Sequence, residues 1–177
     1  MKITYLINFI CIIFLSKNIF AQTIAVVNIQ SLIDNNIYYI EIMKDMEINQ
    51  DKNIEKFAIK EKELSDKLKD LEQSKLILNE IEINAQINNY NEELQAFTIT
   101  VQEFNLHYQN QITNIREIIL KEIFILLEKY AIENQVDLIL DTANYLIASN
   151  SIDVTDSINE KLKNINLKLE YTKFEKN

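Results

Sequence analysis

The sequence predicts an α+β fold in which a long antiparallel α-helical coiled-coil hairpin stands on a small β-sheet base. Three observations lead to this fold class. A β-branched run occupies residues 23–28 (TIAVVN), a helical pattern of apolar residues extends over residues 37–133, and two short apolar runs lie within residues 136–150. The 177-residue chain is long enough for one small body with one long extension.

The 177 residues include no glycine and no proline. Glycine lets the backbone approach a phosphate closely and adopt positive φ angles at little cost. Its absence excludes a Walker loop, a GxGxxG dinucleotide site, a GxSxG nucleophile elbow and an EF-hand loop. It also excludes Asn-Gly hairpin turns, so few turns and long elements are favoured over a sandwich or a barrel with many turns.

The N-terminus has the pattern of a secretory signal peptide over residues 1–21. A short basic start precedes an apolar run over residues 5–15, and cleavage is expected after Ala21. The alternative is an uncleaved membrane anchor, but the apolar run is too short to span a bilayer easily. Cleavage removes the one cysteine, Cys11, and two lysines but no acid, so the net charge goes from −9 to −11. The mature chain can then form no disulfide, and its acidic balance argues against nucleic acid as a partner.

The predicted body combines residues 22–36 with residues 134–166. Residues 23–28 form its first strand, and residues 29–36 have the pattern of a short helical turn. Residues 118–127 (IILKEIFILL), at the lower end of the arm, are apolar nearly all round. Because one opposing helix cannot cover such a segment, we expect it to be buried against the sheet and against other subunits.

The C-terminal part of the body is predicted to contain two more strands and a helix. The apolar runs at residues 136–142 and 145–149 are expected to pair around a turn at Thr142-Ala143-Asn144. A last helix is predicted within residues 153–166. Residues 167–177 are rich in lysine and are expected to form a flexible tail.

Residues 37–133 are predicted to form a coiled-coil arm, because apolar residues recur there in steps of three and four. The first seam runs from Ile40 to Leu78, where 8 of 12 positions are apolar against 7 of the other 27 residues. The second seam runs from Tyr90 to Lys129, where 9 of 12 positions are apolar against 10 of the other 28 residues. Polar residues within the seams would lower stability and fix the register; they are Glu47, Gln50, Glu61 and Lys75 in the first seam and Gln111, Glu122 and Lys129 in the second. The apolar seam positions are Ile40, Met43, Ile54, Phe57, Leu64, Leu68, Leu71 and Leu78 in the first seam and Tyr90, Leu94, Phe97, Val101, Phe104, Tyr108, Ile115, Ile118 and Ile125 in the second.

The two seams do not share one register, so the tip of the arm is predicted near residues 79–89. This stretch contains four asparagines, and asparagine tolerates the left-handed conformation better than most residues. An antiparallel hairpin with its tip there would bring the strand at residues 23–28 close to the strands after residue 134. One continuous rod with a shift of register is the alternative.

Candidate catalytic and metal-binding groups are few. His107 is the only histidine and Arg116 the only arginine, so neither a zinc site nor a set of bidentate phosphate clamps can be assembled. His107 is expected to be a solvated or seam-flanking helical residue. Asp137 and Asp141 flank an apolar strand, where half-exposed acids are a simpler interpretation than a hydrolytic pair. The sequence therefore predicts no enzyme activity and no cofactor.

Two segments of the chain resemble the Skp/OmpH family of periplasmic chaperones. Residues 24–35 (IAVVNIQSLIDN) are similar to the family's opening, where an I-A-x-V-[DN]-x-x-x-[LI] strand leads into a helix. Residues 136–162 (VDLILDTANYLIASNSIDVTDSINEKL) are similar to its closing segment, which has D-L-V-[LV]-D, a turn with Asn, a second strand, then D-[IV]-T and a helix. The two motifs occur in the family's order and flank a coiled-coil region of suitable length.

The resemblance implies a homotrimer with a β-barrel-like body and three helical arms around a cavity. It implies an ATP-independent holdase that binds unfolded outer-membrane proteins in the periplasm and prevents their aggregation during transit to the outer membrane. A secreted coiled-coil structural or adhesion protein that binds a folded partner is the alternative. Family members often have basic arm tips, whereas residues 79–93 contain four glutamates and no lysine or arginine. The family's proposed contact with lipopolysaccharide or anionic lipid is therefore not carried over.

The resemblance also suggests roles for two sets of residues. Aromatic residues recur every seven positions on one helix face, where seam packing is the simplest role and contact with a client by an opening arm is a second one. The client-binding candidates are Tyr90, Phe97, Phe104 and Tyr108. The oligomerisation candidates are Ile24, Val26, Ile123, Leu127, Leu138, Leu140 and Leu146.

Overall fold

The computed structural model describes residues 22–175, and the predicted signal peptide lies outside these residues. The elements follow in the order β1 (Ile24–Val27), α1 (Ile29–Asp34), α2 (Ile37–Ser74), α3 (Glu80–Asn134), β2 (Leu138–Asp141) and α4 (Thr155–Lys163), with 3-10 turns at Thr142–Asn144 and Asn150–Ile152. The fold is mostly helical with one small sheet, as the sequence predicts. No helix within residues 22–175 is long and apolar enough to cross a membrane.

Helices α2 and α3 form an antiparallel hairpin. α2 has 38 residues, so at 1.5 Å per residue it is about 57 Å long, and α3 has 55 residues. The tip is at residues 75–79, so it precedes most of the range predicted for it. Asn79 explains this position, because it caps α3: its side chain accepts from the Glu82 N–H while the Glu82 carboxylate accepts from the Asn79 N–H.

The buried face of α2 follows the predicted seam only at every second position. Leu64 and Leu71 are buried on it, as predicted. The prediction also put Glu47 and Glu61 in the seam, but both are exposed. The inward position lies one residue earlier, as at Met46, which is fully buried. The corrected register keeps these two carboxylates in water, where their charge costs nothing.

The buried face of α3 drifts away from the predicted seam towards the body. Ile115 is buried as predicted, but beyond it the buried residues are Ile119 and Ile123, whereas the predicted seam residues Ile118 and Ile125 are exposed. A straight α-helix has 3.6 residues per turn, so its inward face moves steadily off a strict 3.5-residue repeat. The coiled-coil pattern therefore describes the arm and fails in the body.

Strands β1 and β2 form a parallel two-stranded sheet. The register pairs Ile24 with Leu138 and Val26 with Leu140, and Val26 makes a further bridge to Asp153 on the other side of β1. Parallel strands need a long crossover connection, and here the whole arm is that connection. Within residues 22–175, β2 has no strand on its outer edge.

The second strand predicted at residues 145–149 is not formed within the described chain. Residues 142–144 make a 3-10 turn in place of a hairpin, and residues 145–149 have no strand partner. Leu146 and Ile147 are 100% and 92% exposed. A strand needs a neighbour for its backbone hydrogen bonds, and this chain places none beside the segment. The strand predicted at residues 136–142 is therefore confirmed as β2, whereas the strand at residues 145–149 and the hairpin between the two are not formed in the single chain.

The core of the body lies where α1, α3 and α4 meet the sheet. Ile119 and Ile123 of α3 and Ile158 and Leu162 of α4 are completely buried, and Leu32 of α1 belongs to the same cluster. Burial of each side chain of this size stabilises the fold by about 1.5–3 kcal/mol. The apolar stretch of α3 that the sequence singles out is thus buried in part by its own chain.

Helix α3 ends at a left-handed residue, Gln135. Its φ and ψ are 53° and 43°, and it is the one residue of the described range with a positive φ. The N–H groups of Gln135 and Val136 both donate to the Ala131 carbonyl, which closes the helix end. Glycine usually occupies this position, because a Cβ atom in the left-handed region costs about 1–2 kcal/mol.

Replacing Gln135 with glycine is expected to raise the free energy of unfolding by about 0.5–1 kcal/mol, since the relief of strain exceeds the added freedom of the unfolded chain. The Gln135 side chain is exposed, so few contacts are lost. Chemical denaturation measures the change, with Gln135→Ala as a control that keeps the Cβ atom. A glycine variant no more stable than the alanine variant would contradict the expectation.

Residues 166–175 contain no helix or strand, yet they do not form the loose tail that the sequence predicts. Leu167 is buried, and Leu169, Tyr171 and Phe174 pack against the core cluster. The lysine content suggested a solvated segment, but the lysines alternate with apolar residues that turn inward. We call residues 166–175 the tail segment; it runs along the groove between α2 and α3 from the body towards the tip.

Candidate functional site

A row of aromatic rings follows the arm between α2 and α3. The Phe57 ring of α2 lies edge-on to two rings of α3, with centroids 6.0 Å from Phe97 and 5.1 Å from Phe104. Tyr108 continues the row at 5.0 Å from Phe104. Edge-to-face pairs at such distances are favourable beyond their buried area. The row brings together three of the four predicted client-binding residues and adds Phe57, a position of the first predicted seam that was not among the client-binding candidates.

The tail segment covers this aromatic row from outside. The Phe174 ring lies 5.4 Å from Phe104 and 5.7 Å from His107 between centroids, and the Phe174 N–H donates to the Tyr108 hydroxyl at 3.4 Å. Tyr108 also donates to the Asn49 side chain. Phe104 and Tyr108 are consequently buried, with 5% and 2% of their surface exposed. The tail segment therefore covers these two rings on the side where Phe174 is seated, whereas a surface depression of about 300 Å³ that the rings line together with Gln50 and Gln109 contains no tail residue.

Polar side chains hold the tail segment to both helices. The Tyr171 hydroxyl donates to the Asp45 carboxylate of α2 at 2.8 Å. On α3, Gln111 donates to the Thr172 hydroxyl at 2.9 Å, and His107 Nε2 lies 2.7 Å from the Thr172 carbonyl oxygen. Because a carbonyl can only accept, His107 Nε2 carries a proton. This role of His107 could not be predicted from the sequence, because its partner Thr172 is 65 residues away.

Tyr171 is the tail residue whose chemistry is most changed by docking. Burial first, and then the hydrogen bond to the Asp45 carboxylate, raise the pKa of the Tyr171 hydroxyl to about 12. A hydroxyl with a raised pKa stays protonated at neutral pH and keeps its role as a donor. The hydrogen bond from Tyr171 to Asp45 therefore stabilises the docked tail segment fully below pH 10. Its contribution is lost as the pH rises through the range from about 10 to 12, where the hydroxyl loses its proton.

The predicted client-binding residue Tyr90 lies apart from the aromatic row, nearer the tip. It lines a shallow depression of about 200 Å³ together with Leu71 and Glu93. The Glu93 carboxylate joins the two helices, 2.6 Å from Lys67 Nζ and 3.4 Å from Lys60 Nζ. The hydrogen bond from Lys67 is the main cause that holds the pKa of Glu93 below its usual value. Near the tip, α2 and α3 are thus joined by ion pairs as well as by the apolar contacts of the seam.

Three of the predicted oligomerisation residues are buried inside the single chain. Val26 of β1 and Ile123 and Leu127 of α3 are almost completely covered by their own chain. Sequence reasoning recognised that these positions are buried. It could not tell burial by the chain's own α4 and sheet from burial by a second subunit, because both remove the same side chain from water.

The other predicted oligomerisation residues lie on or near the outer surface of the body. Ile24 and Leu138 are exposed and are partners in the register of the sheet. Leu140 is half-buried, and Leu146 is fully exposed in the segment after β2. Apolar side chains exposed together on a folded body mark a contact surface.

Further exposed apolar residues were not among the predicted site residues. Phe124 of α3 is exposed and lines a surface depression of about 400 Å³ together with Ile139 of β2. At the tip, Leu76 and Ile77 are almost fully exposed. The all-round apolar stretch of α3 did indicate Phe124, whereas the tip residues fall outside both seams and had no such signal.

The acidic residues considered for catalysis have structural partners. The Asp137 carboxylate accepts from the Thr23 N–H at 2.8 Å, and the Asp141 carboxylate accepts from the Ile29 N–H at 3.4 Å. Both therefore fix the ends of the two strands. In the part of the chain that the structure describes, no group of three or more His, Cys, Asp or Glu residues could hold a metal ion.

These features define a class of protein: a coiled-coil hairpin on a small α/β body, with apolar side chains along the arm and around the body. The sequence model of the OmpH-like outer membrane protein family matches residues 23–162, and the chain belongs to this family. The resemblance seen in the sequence is thereby confirmed. A crystal structure from Caulobacter crescentus CB15, described as an outer membrane chaperone (OmpH-like), has the same fold, with a TM-score of 0.65 and 11% sequence identity over 86% of this chain and 92% of that chain. No curated protein sequence matches the chain.

Proposed function

We propose that this protein is a trimeric, ATP-independent holdase chaperone of the periplasm, which binds unfolded outer-membrane proteins and prevents their aggregation. Membership of the OmpH-like family supports the chaperone role. The observation that carries the proposal is the distribution of apolar side chains over the whole arm. Exposed residues on the arm include Ile48, Ile54, Ile59, Leu68, Leu94, Ile99 and Leu106.

Spread-out apolar contacts suit a client that has no fixed structure. Burial of one such side chain contributes at most about 1.5–3 kcal/mol, so a single contact is weak and exchanges quickly. Several contacts on one client add up, and none of them requires a particular client sequence. Holding of this kind needs no nucleotide, which agrees with a chain that has no glycine for a phosphate-binding loop.

The trimer in this proposal is supported by the outer surface of the body. The outer edge of β2 lacks a strand within residues 22–175, and unpaired edges readily accept another strand. Leu146 and Ile147, which follow β2 in the chain after the 3-10 turn, are almost fully exposed. A neighbouring subunit could both pair with the open edge of β2 and cover the exposed side chains of Leu146 and Ile147. Binding to lipopolysaccharide is left out of the proposed function, because residues 79–93, which follow the tip, contain four glutamates and no lysine or arginine.

The proposal is tested by dilution of a denatured β-barrel membrane protein into buffer with purified residues 22–177 and no nucleotide. Light scattering is expected to show suppressed aggregation at one client per trimer. Aggregation that continues at a several-fold excess of trimer would refute the proposal. If only a native partner co-purifies and unfolded barrels are not bound, the structural or adhesion role replaces it.

A matched pair of variants links the activity to the arm. Ile54→Ser with Ile99→Ser removes two exposed apolar side chains, one on each helix, and is expected to raise the concentration for half-suppression by at least about threefold. Lys52→Ser with Gln95→Ser changes exposed polar side chains on the same helices and is expected to leave that concentration unchanged. Equal effects of the two pairs would show that the arm surface does not hold the client.

A further inference from the structure

The tail segment lies beyond the part of the chain that the family model matches, which ends at residue 162. Residues 166–175 contain no helix and lie in the groove between α2 and α3, where Tyr171 contacts Asp45 and Thr172 contacts His107. The groove takes in the aromatic row at Phe104 and Tyr108, where Phe174 is seated. The structure therefore shows this groove with a peptide segment bound in it.

The tail segment enters the groove with alternate side chains turned inward. Leu167 is buried and Leu169 and Tyr171 are half-buried, whereas Lys168 and Glu170 between them are exposed. This period of two is that of a β-strand. It is also the pattern of the strands of transmembrane β-barrels, in which apolar side chains that face lipid alternate with polar ones.

The groove recognises the backbone of the tail segment as well as its apolar side chains. His107 lies within hydrogen-bond distance of the Thr172 carbonyl, and Tyr108 accepts from the Phe174 N–H. Main-chain groups of this kind are present in every peptide, so these two bonds place no demand on sequence. Besides these two bonds, the groove requires an extended segment that has apolar side chains at alternate positions. The segment must end in an aromatic ring that packs against Phe104.

We propose that the groove between α2 and α3 is a binding site for extended segments with alternating apolar side chains, and that the tail segment is its intramolecular occupant. The proposal rests on the proposed function and names the class of client segment: a strand of an unfolded outer-membrane β-barrel. A tethered occupant acts at high effective concentration, so it excludes weak ligands. A client with several such strands displaces it, because its other contacts along the arm hold it in place.

The test measures binding of a fluorescein-labelled peptide with the sequence of residues 165–175 (INLKLEYTKFE) to the mature chain, residues 22–177. Tyr171→Ser with Phe174→Ser loosens the tail segment, and fluorescence anisotropy is expected to show the peptide bound at least about tenfold more tightly than by the unsubstituted chain, since an occupied site binds in proportion to its open fraction. Lys173→Ser, at an exposed tail position, is the matched control and is expected to bind the peptide like the unsubstituted chain.

A second peptide has the same composition but its apolar residues are contiguous, and it is expected to bind at least tenfold more weakly to the loosened chain. Equal binding of the two peptides, or equal affinity of the loosened and unsubstituted chains, overturns the inference. Circular dichroism verifies that the arm stays helical, and Leu169→Ser supplies a second loosened chain. The aggregation assay on the same samples separates the two proposals. If client aggregation is suppressed but the loosened chain does not bind the peptide more tightly, the groove site alone is refuted. If the peptide binds but client aggregation is not suppressed, the holdase function alone is refuted.

Discussion

Replacing Ile123 with aspartate is expected to unfold the body, at a cost of about 4–5 kcal/mol in the free energy of unfolding. Ile123 has no exposed surface and lies in the cluster that α3 forms with α4 and the sheet. A carboxylate there would lack a hydrogen-bonding partner. Since domains of this kind are stable by only about 5–15 kcal/mol, the variant loses a large share of its stability. Urea denaturation followed by circular dichroism measures the loss.

Ile125→Asp is the control for this substitution. Ile125 is on the same helix two residues later and is half-exposed, so the same change is expected to alter stability by no more than about 0.5 kcal/mol. The sequence alone, which predicts that Ile123 lies at an interface between subunits, predicts a different result for Ile123→Asp, namely dissociation of the trimer. Folded monomers of Ile123→Asp, as stable as the Ile125→Asp chain, would favour that expectation over the packing described here.

Replacing Leu146 with aspartate is expected to have the opposite outcome: the chain stays folded and the proposed trimer dissociates. The Leu146 side chain makes no buried contact in the single chain, so the charge costs a monomer nothing. In an interface the same charge would be desolvated without a partner, which costs several kcal/mol. Size exclusion with light scattering measures the mass, and circular dichroism verifies that helicity is retained.

Ala143→Asp is the matched control for Leu146→Asp, because Ala143 is exposed in the 3-10 turn that precedes this segment. It is expected to leave the trimer intact. A Leu146→Asp chain with the mass of the trimer would show that residues 145–149 are not at the interface. A monomeric unsubstituted chain at micromolar concentration would remove the trimer from the proposed function.

The elements predicted well are those whose signal is local and repeated. The periodic apolar residues of α2 and α3 predicted the hairpin, the β-branched run at residues 23–28 predicted β1, and the apolar run at residues 136–142 predicted β2. The errors within these elements have local physical causes too. Asn79 ends the turn earlier than expected through its capping box, and the inward face of α3 drifts because its repeat is 3.6 residues and not 3.5.

The features that the sequence could not predict depend on partners far away in the chain. Ile123 is buried by α4, and nothing in its own neighbourhood separates that burial from contact with a subunit. The tail segment docks because Tyr171 meets Asp45, which is 126 residues earlier, and because Thr172 meets His107. The lysines of the tail segment predicted a solvated tail, but they lie only on the side of the segment that faces water, and its apolar residues face the groove.

The parallel pairing of β1 with β2 has a consequence for the order of folding. The bond from the Thr23 N–H to Asp137 joins residues that are 114 positions apart, so the sheet closes a very long loop. Closing such a loop costs conformational entropy before the sheet gains any contact. The hairpin lowers this cost, because α2 and α3 lying side by side bring both strands to the same end of the arm. We therefore expect the body to form after the arm, so that β1, although it is first in the chain, pairs with β2 only once α3 has formed.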